Sequence, residues 1–178
     1  MIEADVLVHF VLGGARSGKT RHALLLAEAT GLKLSYIATA TAFDDEMQAR
    51  IDAHKAERDA RWTTIETPLM LSEAIHQNAA SDRVLLVDCL TLWLNNLMFA
   101  EQDVAAATDA LCAALRETCG CVILVSNELG LGLVPETQLG RRFRDAQGRL
   151  NQRVAEVADH VTFVAAGLPL HLKPVRHA

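Results

Sequence analysis

Val6-Leu7-Val8-His9-Phe10-Val11-Leu12-Gly13-Gly14-Ala15-Arg16-Ser17-Gly18-Lys19-Thr20 opens with an apolar, β-branched run and ends in a glycine-rich turn ahead of a helical pattern. Its last eight residues fit G-x-x-x-x-G-K-[ST], in the strand–turn–helix context that gives this motif its meaning. The chemistry explains the spacing. Glycines let the backbone wrap closely, so that successive N–H groups point inward at phosphate oxygens. The helix that follows adds its positive N-terminal end. Lys19 supplies a full charge for the β and γ phosphates, and the Thr20 hydroxyl is placed to ligate Mg²⁺.

Outward from this segment, short apolar runs alternate with longer helical patterns. Strands are expected at Val6 to Leu12, Leu34 to Thr39, Trp62 to Glu66, Val84 to Asp88, Val122 to Ser126, Val161 to Ala165 and Leu170 to Lys173. Helices are expected at Lys19 to Ala29, Asp44 to Ala60, Leu71 to Gln77, Val104 to Thr118 and Leu139 to Ala158, with a further helix starting near Thr91. Near-continuous apolar strands between helices predict an α/β fold, a mostly parallel sheet with helices on both faces. Ligands of such sheets bind at the carboxyl ends of the strands. No linker, repeat or low-complexity run divides residues 1–178, which reads as a single nucleotide-binding domain.

A second metal-side group is expected at the end of a neighbouring apolar strand, and Asp88, closing VLLVD, is the candidate. The bland alternative is an Asp that caps the next helix. In the helical stretch from Asp44, the positions Arg50, His54 and Arg58 are four apart and share a face. Two guanidinium groups beside an imidazole disfavour its protonation, which leaves a ring nitrogen available as nucleophile or base. By spacing alone, a solvated basic stripe paired with Asp52 and Glu57 explains the same residues.

After Val122 to Ser126 come Asn127 and Glu128, expected at the ligand edge, then Leu129 to Pro135 (LGLGLVP). The glycines Gly130 and Gly132 suit either a mobile apolar lid or a plain connection. Arg141, Arg142, Arg144, Arg149 and Arg153 on the helix beyond meet phosphate, a neighbouring subunit or solvent. Asp145 and Asn151 are positioned to orient arginines. The remaining histidines, His9, His22, His76, His160, His171 and His177, form no metal spacing and read as structural or surface groups.

Composition narrows the function. In 178 residues, 51% hydrophobic and 22% charged, a disordered chain is excluded. A net charge of −5 and 4% aromatic content argue against nucleic acid as the main partner. No stretch approaches the roughly 18 apolar residues of a membrane helix. Met1 to Asp5 carries two acids where a signal peptide places basic residues, so a cytoplasmic protein is expected. Cys89, Cys112, Cys119 and Cys121 lack zinc spacing and read as free, buried thiols in a reducing compartment.

GGARSGKTRHA (Gly13 to Ala23), YIATATAFDDEMQARIDAHKAER (Tyr36 to Arg58) and SNELGLGLVPETQLGRRFRDAQGRLNQRVAE (Ser126 to Glu156) together resemble one family. It is the bifunctional adenosylcobinamide kinase / adenosylcobinamide-phosphate guanylyltransferase family of cobalamin biosynthesis, and the resemblance spans nearly the whole chain. It implies a RecA-like P-loop fold assembled as a homotrimer. It implies phosphorylation of the aminopropanol hydroxyl of adenosylcobinamide with ATP or GTP. GMP is then transferred from GTP onto that phosphate, giving adenosylcobinamide-GDP and pyrophosphate. His54 falls at the position of the histidine that carries GMP. The nucleotide contacts implied are Gly13, Gly14, Ala15, Arg16, Ser17, Gly18, Lys19 and Thr20, then Ala38, Thr39 and Ala40, then Lys55, Ala56, Glu57 and Arg58, with the acids Glu66 and Asp88. By physics alone, a small-metabolite kinase without guanylyl transfer, or a GTP-binding switch, fits the phosphate loop as well.

Overall fold

Seven strands form one sheet in the computed structural model, which describes residues 8–41, 45, 49 and 58–174. They are β1 (Val8–Gly13), β2 (Lys33–Ala38), β3 (Trp62–Glu66), β4 (Arg83–Asp88), β5 (Cys121–Asn127), β6 (His160–Ala165) and β7 (Leu168–Lys173). Their spatial order is β3-β2-β4-β5-β1-β6-β7. All neighbours pair in parallel except β6 and β7, an antiparallel hairpin at one edge. The described helices are α1 (Lys19–Ala29), α2 (Leu71–Asn78), α3 (Leu90–Phe99), α4 (Val104–Glu117) and α5 (Gln138–Val157). Of the expected helix over Asp44 to Ala60, residues 45 and 49 are helical, residues 58–60 are not and form a bend and turn ahead of β3, and the rest lies outside the described residues.

Alternation along the central strands sorts the core into two halves. Val84 and Leu86 of β4, with Ile123 and Val125 of β5, face α1 and its Ala23 and Ala27. Leu85 and Val87, with Val122 and Leu124, face the other way, toward Leu71 of α2, Trp93 of α3, Leu111 of α4 and Leu150 of α5. Both faces are covered, so β4 and β5 are apolar and buried at nearly every position. This is the α/β architecture expected, a mostly parallel sheet between helices.

Besides shifts of one or two residues at strand ends, such as β1 at Val8–Gly13 and β2 at Lys33–Ala38, α3, β7 and one cysteine differ from the sequence reading. Helix α3 is a full ten residues, buried at Leu90, Thr91, Trp93, Leu94, Asn96 and Leu97. A helix surrounded by protein loses its polar face, and with it the period that marks a helix in sequence. Strand β7 starts two residues early, at Leu168, because Ala166 and Gly167 form the tight turn with positive φ (51° and 79°). The four cysteines are unpaired, but Cys119 is exposed and not buried. Burial pushes the Cys121 thiol up to about 11 and the Cys89 thiol up to about 12.

Helix ends follow ordinary capping chemistry. Asp103 starts α4 by accepting from the N–H groups of Ala105 (2.9 Å) and Ala106 (3.1 Å). Thr137 Oγ1 starts α5 by accepting from Gly140 N at 3.0 Å. Leu124 is fully buried in the middle of β5, where the sheet has least room to collapse around a void. Leu124→Ala should destabilise the fold by about 2–5 kcal/mol, read as a lower urea midpoint with an unchanged slope.

Candidate nucleotide site

Strand register gathers the candidate residues at one end of the sheet. Ala38 of β2 lies level with Glu66 of β3 on one side and Asp88 of β4 on the other. Gly13 of β1 lies level with Asn127 of β5. The loop Gly13 to Thr20, the segment Ala38 to Ala40, Glu66, Asp88 and Asn127 therefore share the carboxyl edge, where parallel sheets hold their ligands. Strand β5 stands between the loop's strand and the strand of Asp88.

The loop is shaped by close approaches. A Cβ on Gly13 would run into Ser17 Oγ and into Val164 O at 2.6 Å. Gly18 has φ +94° and its missing Cβ faces Gly167 Cα at 3.2 Å. Arg16 is also left-handed, at φ 55°. Ser17 N donates to Gly14 O at 3.2 Å, and Gly167 N of the β6–β7 turn donates to Ser17 O at 2.8 Å. The hairpin thus braces the loop from behind.

No side chain caps α1, and its first turn holds no acid. Its opening N–H groups are left to an external acceptor, an arrangement suited to phosphate. Lys19 Nζ donates to Gly14 O at 3.0 Å, folding its ammonium back over the loop. Burial lowers the Lys19 pKa, and the neighbouring Cys89 and Asp88 oppose that shift. An anion in the loop would offset the same desolvation.

Asp88 is held by Tyr36, whose hydroxyl donates to Asp88 Oδ2 at 3.0 Å. The helix-capping role weighed for Asp88 is not realised, since α3 begins after Cys89 with no side-chain cap. Thr39 is fully buried. Its Oγ1 donates to Cys89 O (2.7 Å) and accepts from Cys89 N (2.9 Å). Asn96 of α3 donates to Thr39 O (2.7 Å) and to Pro68 O (3.0 Å), tying the ends of β2 and β3 together. Glu66 is exposed at the strand end. The guanidinium of Arg58 lies 3.6 Å from the centre of the Tyr36 ring. His54, Lys55, Ala56, Glu57 and Arg50 lie outside the described residues.

On the other flank, Thr91 Oγ1 accepts from Asn127 N (2.9 Å) and Asn151 Nδ2 donates to Asn127 O (3.0 Å). Ser126 Oγ donates to Asn151 Oδ1 at 2.8 Å and accepts from Gln147 Nε2 at 2.9 Å. Asn151 orients the end of β5 through this buried network; arginine is not its partner. Glu128 N donates to Gly13 O at 3.1 Å, fastening the downstream loop to the phosphate loop. Beyond it Leu131, Leu133 and Val134 are exposed. Arg141 Nη1 donates to Pro135 O (3.0 Å) and Glu136 O (2.7 Å), and Arg153 pairs with Asp109 at 2.8 Å. Both arginines serve structure. The sequence reading gives Tyr36 and Asn96 no role, because a lone tyrosine in a strand and an asparagine in an apolar helix carry no motif.

The phosphate-loop turn, the orphan amides of α1 and an acid two strands away define a P-loop nucleotide-binding protein of RecA-like architecture. Solved structures share that fold alone. A KaiC-like protein from Pyrococcus horikoshii matches with a TM-score of 0.53 at 15% identity, over 97% of this chain and 82% of its own. The flagellar accessory protein FlaH from Methanocaldococcus jannaschii matches at 0.50 and 12%, over 88% and 70%. The family profile described as "Cobinamide kinase / cobinamide phosphate guanyltransferase" matches residues 9–172, and the chain belongs to that family. The bifunctional adenosylcobalamin biosynthesis protein CobP of Pseudomonas aeruginosa is 52% identical over 165 residues, 92% of this chain and 95% of that one. The similarly named CobU of Escherichia coli is 40% identical over 178 residues, covering 92% and 98%.

Because Lys19 is half-buried and partly desolvated, Lys19→Ala should separate binding from stability. Affinity for a nucleoside triphosphate, measured by calorimetry, should fall by about 100-fold, while the unfolding midpoint without nucleotide stays the same or rises slightly.

Proposed function

We propose that the chain catalyses two successive transfers at this edge of the sheet: phosphorylation of adenosylcobinamide on its aminopropanol hydroxyl by ATP or GTP, then guanylylation of the product by GTP. Membership of the family supports the pair of activities. The observation that carries the reading at the level of residues is the seating of Arg58 on Tyr36, whose hydroxyl holds Asp88. Position 54 is four residues from Arg58, a reach of at most about 14 Å of extended chain. The proposal requires the imidazole of His54 to reach the triphosphate held beside that acid.

In the first transfer the substrate hydroxyl attacks the γ phosphorus and the bond to the β-phosphate oxygen breaks. Amides of Gly13 to Thr20 and the Lys19 ammonium hold the triphosphate and take up its developing charge. A loose transition state asks little of a general base. In the second transfer a neutral ring nitrogen of His54 attacks the α phosphorus of GTP. A P–N bond forms, a P–O bond breaks and pyrophosphate leaves. The phosphate oxygen of the corrinoid substrate then attacks the same phosphorus and the imidazole departs, giving adenosylcobinamide-GDP. Ala38, Thr39 and Ala40, together with Lys55 to Arg58 and Glu66, are the proposed contacts to the rest of the nucleotide. Thr39 spends its hydroxyl on Cys89, its carbonyl on Asn96 and its N–H on Asp88 O, so its proposed part is to hold this segment in place beside the nucleotide.

Mg²⁺ fits the donor set. The Thr20 hydroxyl and Asp88 carboxylate are hard oxygen ligands, and among the described residues no cluster of three His, Cys, Asp or Glu side chains forms a cage for another metal. Bound with nucleotide, the ion would neutralise phosphate charge. The corrinoid brings its own cobalt chemistry. The exposed apolar side chains Leu131, Leu133 and Val134 offer a surface for the broad macrocycle of a large corrinoid. Among the described residues no helix is long and apolar enough to cross a membrane. A cytoplasmic homotrimer is the state proposed with this reading; unpaired cysteines support the compartment.

Incubation with GTP labelled at the α phosphorus should leave acid-labile label on the protein, and His54→Ala should abolish it. Adenosylcobinamide, GTP and Mg²⁺ should yield adenosylcobinamide-GDP by mass. Phosphoryl transfer without protein label or pyrophosphate release would reduce the chain to a simple kinase, and tight GTP binding without turnover would reduce it to a switch.

A further inference from the structure

Tyr36 is the only tyrosine of the chain and is 4% exposed, midway along β2. Three contacts fix its ring. The hydroxyl donates to Asp88 Oδ2 at 3.0 Å. Trp62 of β3 meets it edge-on, with centroids 6.2 Å apart and planes at 82°. The Arg58 guanidinium covers one face at 3.6 Å. This ring does more than pack: its hydroxyl orients an acid at the phosphate site, and one face seats a cation from the segment that carries the proposed guanylyl acceptor.

We propose that Tyr36 is a positioning residue shared by both transfers, its hydroxyl setting Asp88 for the metal–triphosphate complex and its ring face setting Arg58 for the attack on the α phosphorus. The assignment rests on the two-step reading above.

Physical chemistry separates the two roles. A phenol donating to a carboxylate takes up one oxygen and fixes the plane of the group, so the second oxygen is presented in one direction. A phenol is ordinarily protonated at neutral pH, so the hydroxyl is a donor to Asp88. The ring face acts differently. It attracts a guanidinium without itself taking up an N–H donor. Phenylalanine keeps the face and loses the donor; leucine loses both.

The test uses the full chain as wild type, Tyr36→Phe and Tyr36→Leu, each also in Asp88→Asn and Arg58→Leu backgrounds. Folding is checked by circular dichroism and urea midpoint. Affinity for a non-hydrolysable GTP analogue is measured with Mg²⁺ and with EDTA. Tyr36→Phe should weaken binding about tenfold with Mg²⁺ and less than about twofold with EDTA, and the Mg²⁺-dependent loss should vanish in Asp88→Asn. Protein labelling from α-labelled GTP should be slower in Tyr36→Leu than in Tyr36→Phe by about tenfold, a difference that should vanish in Arg58→Leu. Equal losses with and without Mg²⁺, or additive effects in both backgrounds, would overturn the assignment, and Tyr36→Phe keeps the first arm decisive even if Tyr36→Leu does not fold. A wild type that never labels overturns the two-step reading itself, whereas a labelling wild type with an indifferent Tyr36→Phe overturns only the role of Tyr36.

Discussion

The site depends on a stretch of backbone that has no room for side chains. Gly13 sits where a Cβ would overlap Ser17 Oγ and the carbonyl of Val164, and Gly18, at φ +94°, sits against Gly167 of the neighbouring hairpin. Each glycine gives up conformational freedom that any other residue would have lost more cheaply. What the chain gains is a tightly wrapped loop at the start of an uncapped helix. The β6–β7 hairpin, remote in sequence, completes this arrangement by donating from Gly167 to the loop carbonyl of Ser17. A turn that looks like ordinary punctuation at Ala166-Gly167 thus belongs to the mechanical support of the site.

Where the sequence is informative, one element carries its own signal. Strands β4 and β5 are readable because both faces of the sheet are covered and their apolar runs are unbroken. The phosphate loop is readable because its chemistry needs a fixed order of residue types. Asp88 and Glu66 stand as acids at the ends of strands, and register puts both beside Ala38. Helix α3 is visible only at its start, since burial on all sides erases its polar face. Thr39, Asn96 and Asn151 act through partners 24 to 57 residues away, and Asn151 spends its amide on Ser126 and Asn127. Long-range hydrogen bonds of this kind leave no local trace. Arg141 and Arg153 are readable as cations but not as the clamps they are, because spacing does not say which carbonyl or carboxylate comes within reach.

A site that served both transfers would have to present two different phosphorus atoms, γ and α, to two different nucleophiles. They lie two phosphates apart on the same chain of oxygens, so a single rigid set of contacts suits one or the other. The geometry offers two sets. The loop amides and Lys19 stand on β1 and α1; Asp88, Tyr36 and Arg58 stand around the ends of β2 and β4. Strand β5 separates them and ends in Asn127, whose backbone is tied on both sides by Thr91 and Asn151.

That separation follows from strand order. Had β4 paired directly with β1, the acid would stand one strand nearer the loop. Inserting β5 moves Asp88 one strand outward, level with Ala38 and within reach of the Tyr36 hydroxyl on the same face of the sheet. Tyr36 can bridge to Arg58 only because side chains two apart on a strand share a face: Ala38 marks the edge, and Tyr36 lies one pleat below it, under Asp88. A shift of β2 by one residue would turn the ring to the opposite face, among Leu71, Trp93 and Leu124, and disconnect both groups at once. The parallel register of β2 on β4 is therefore the step by which an apolar sequence pattern becomes a constraint on chemistry.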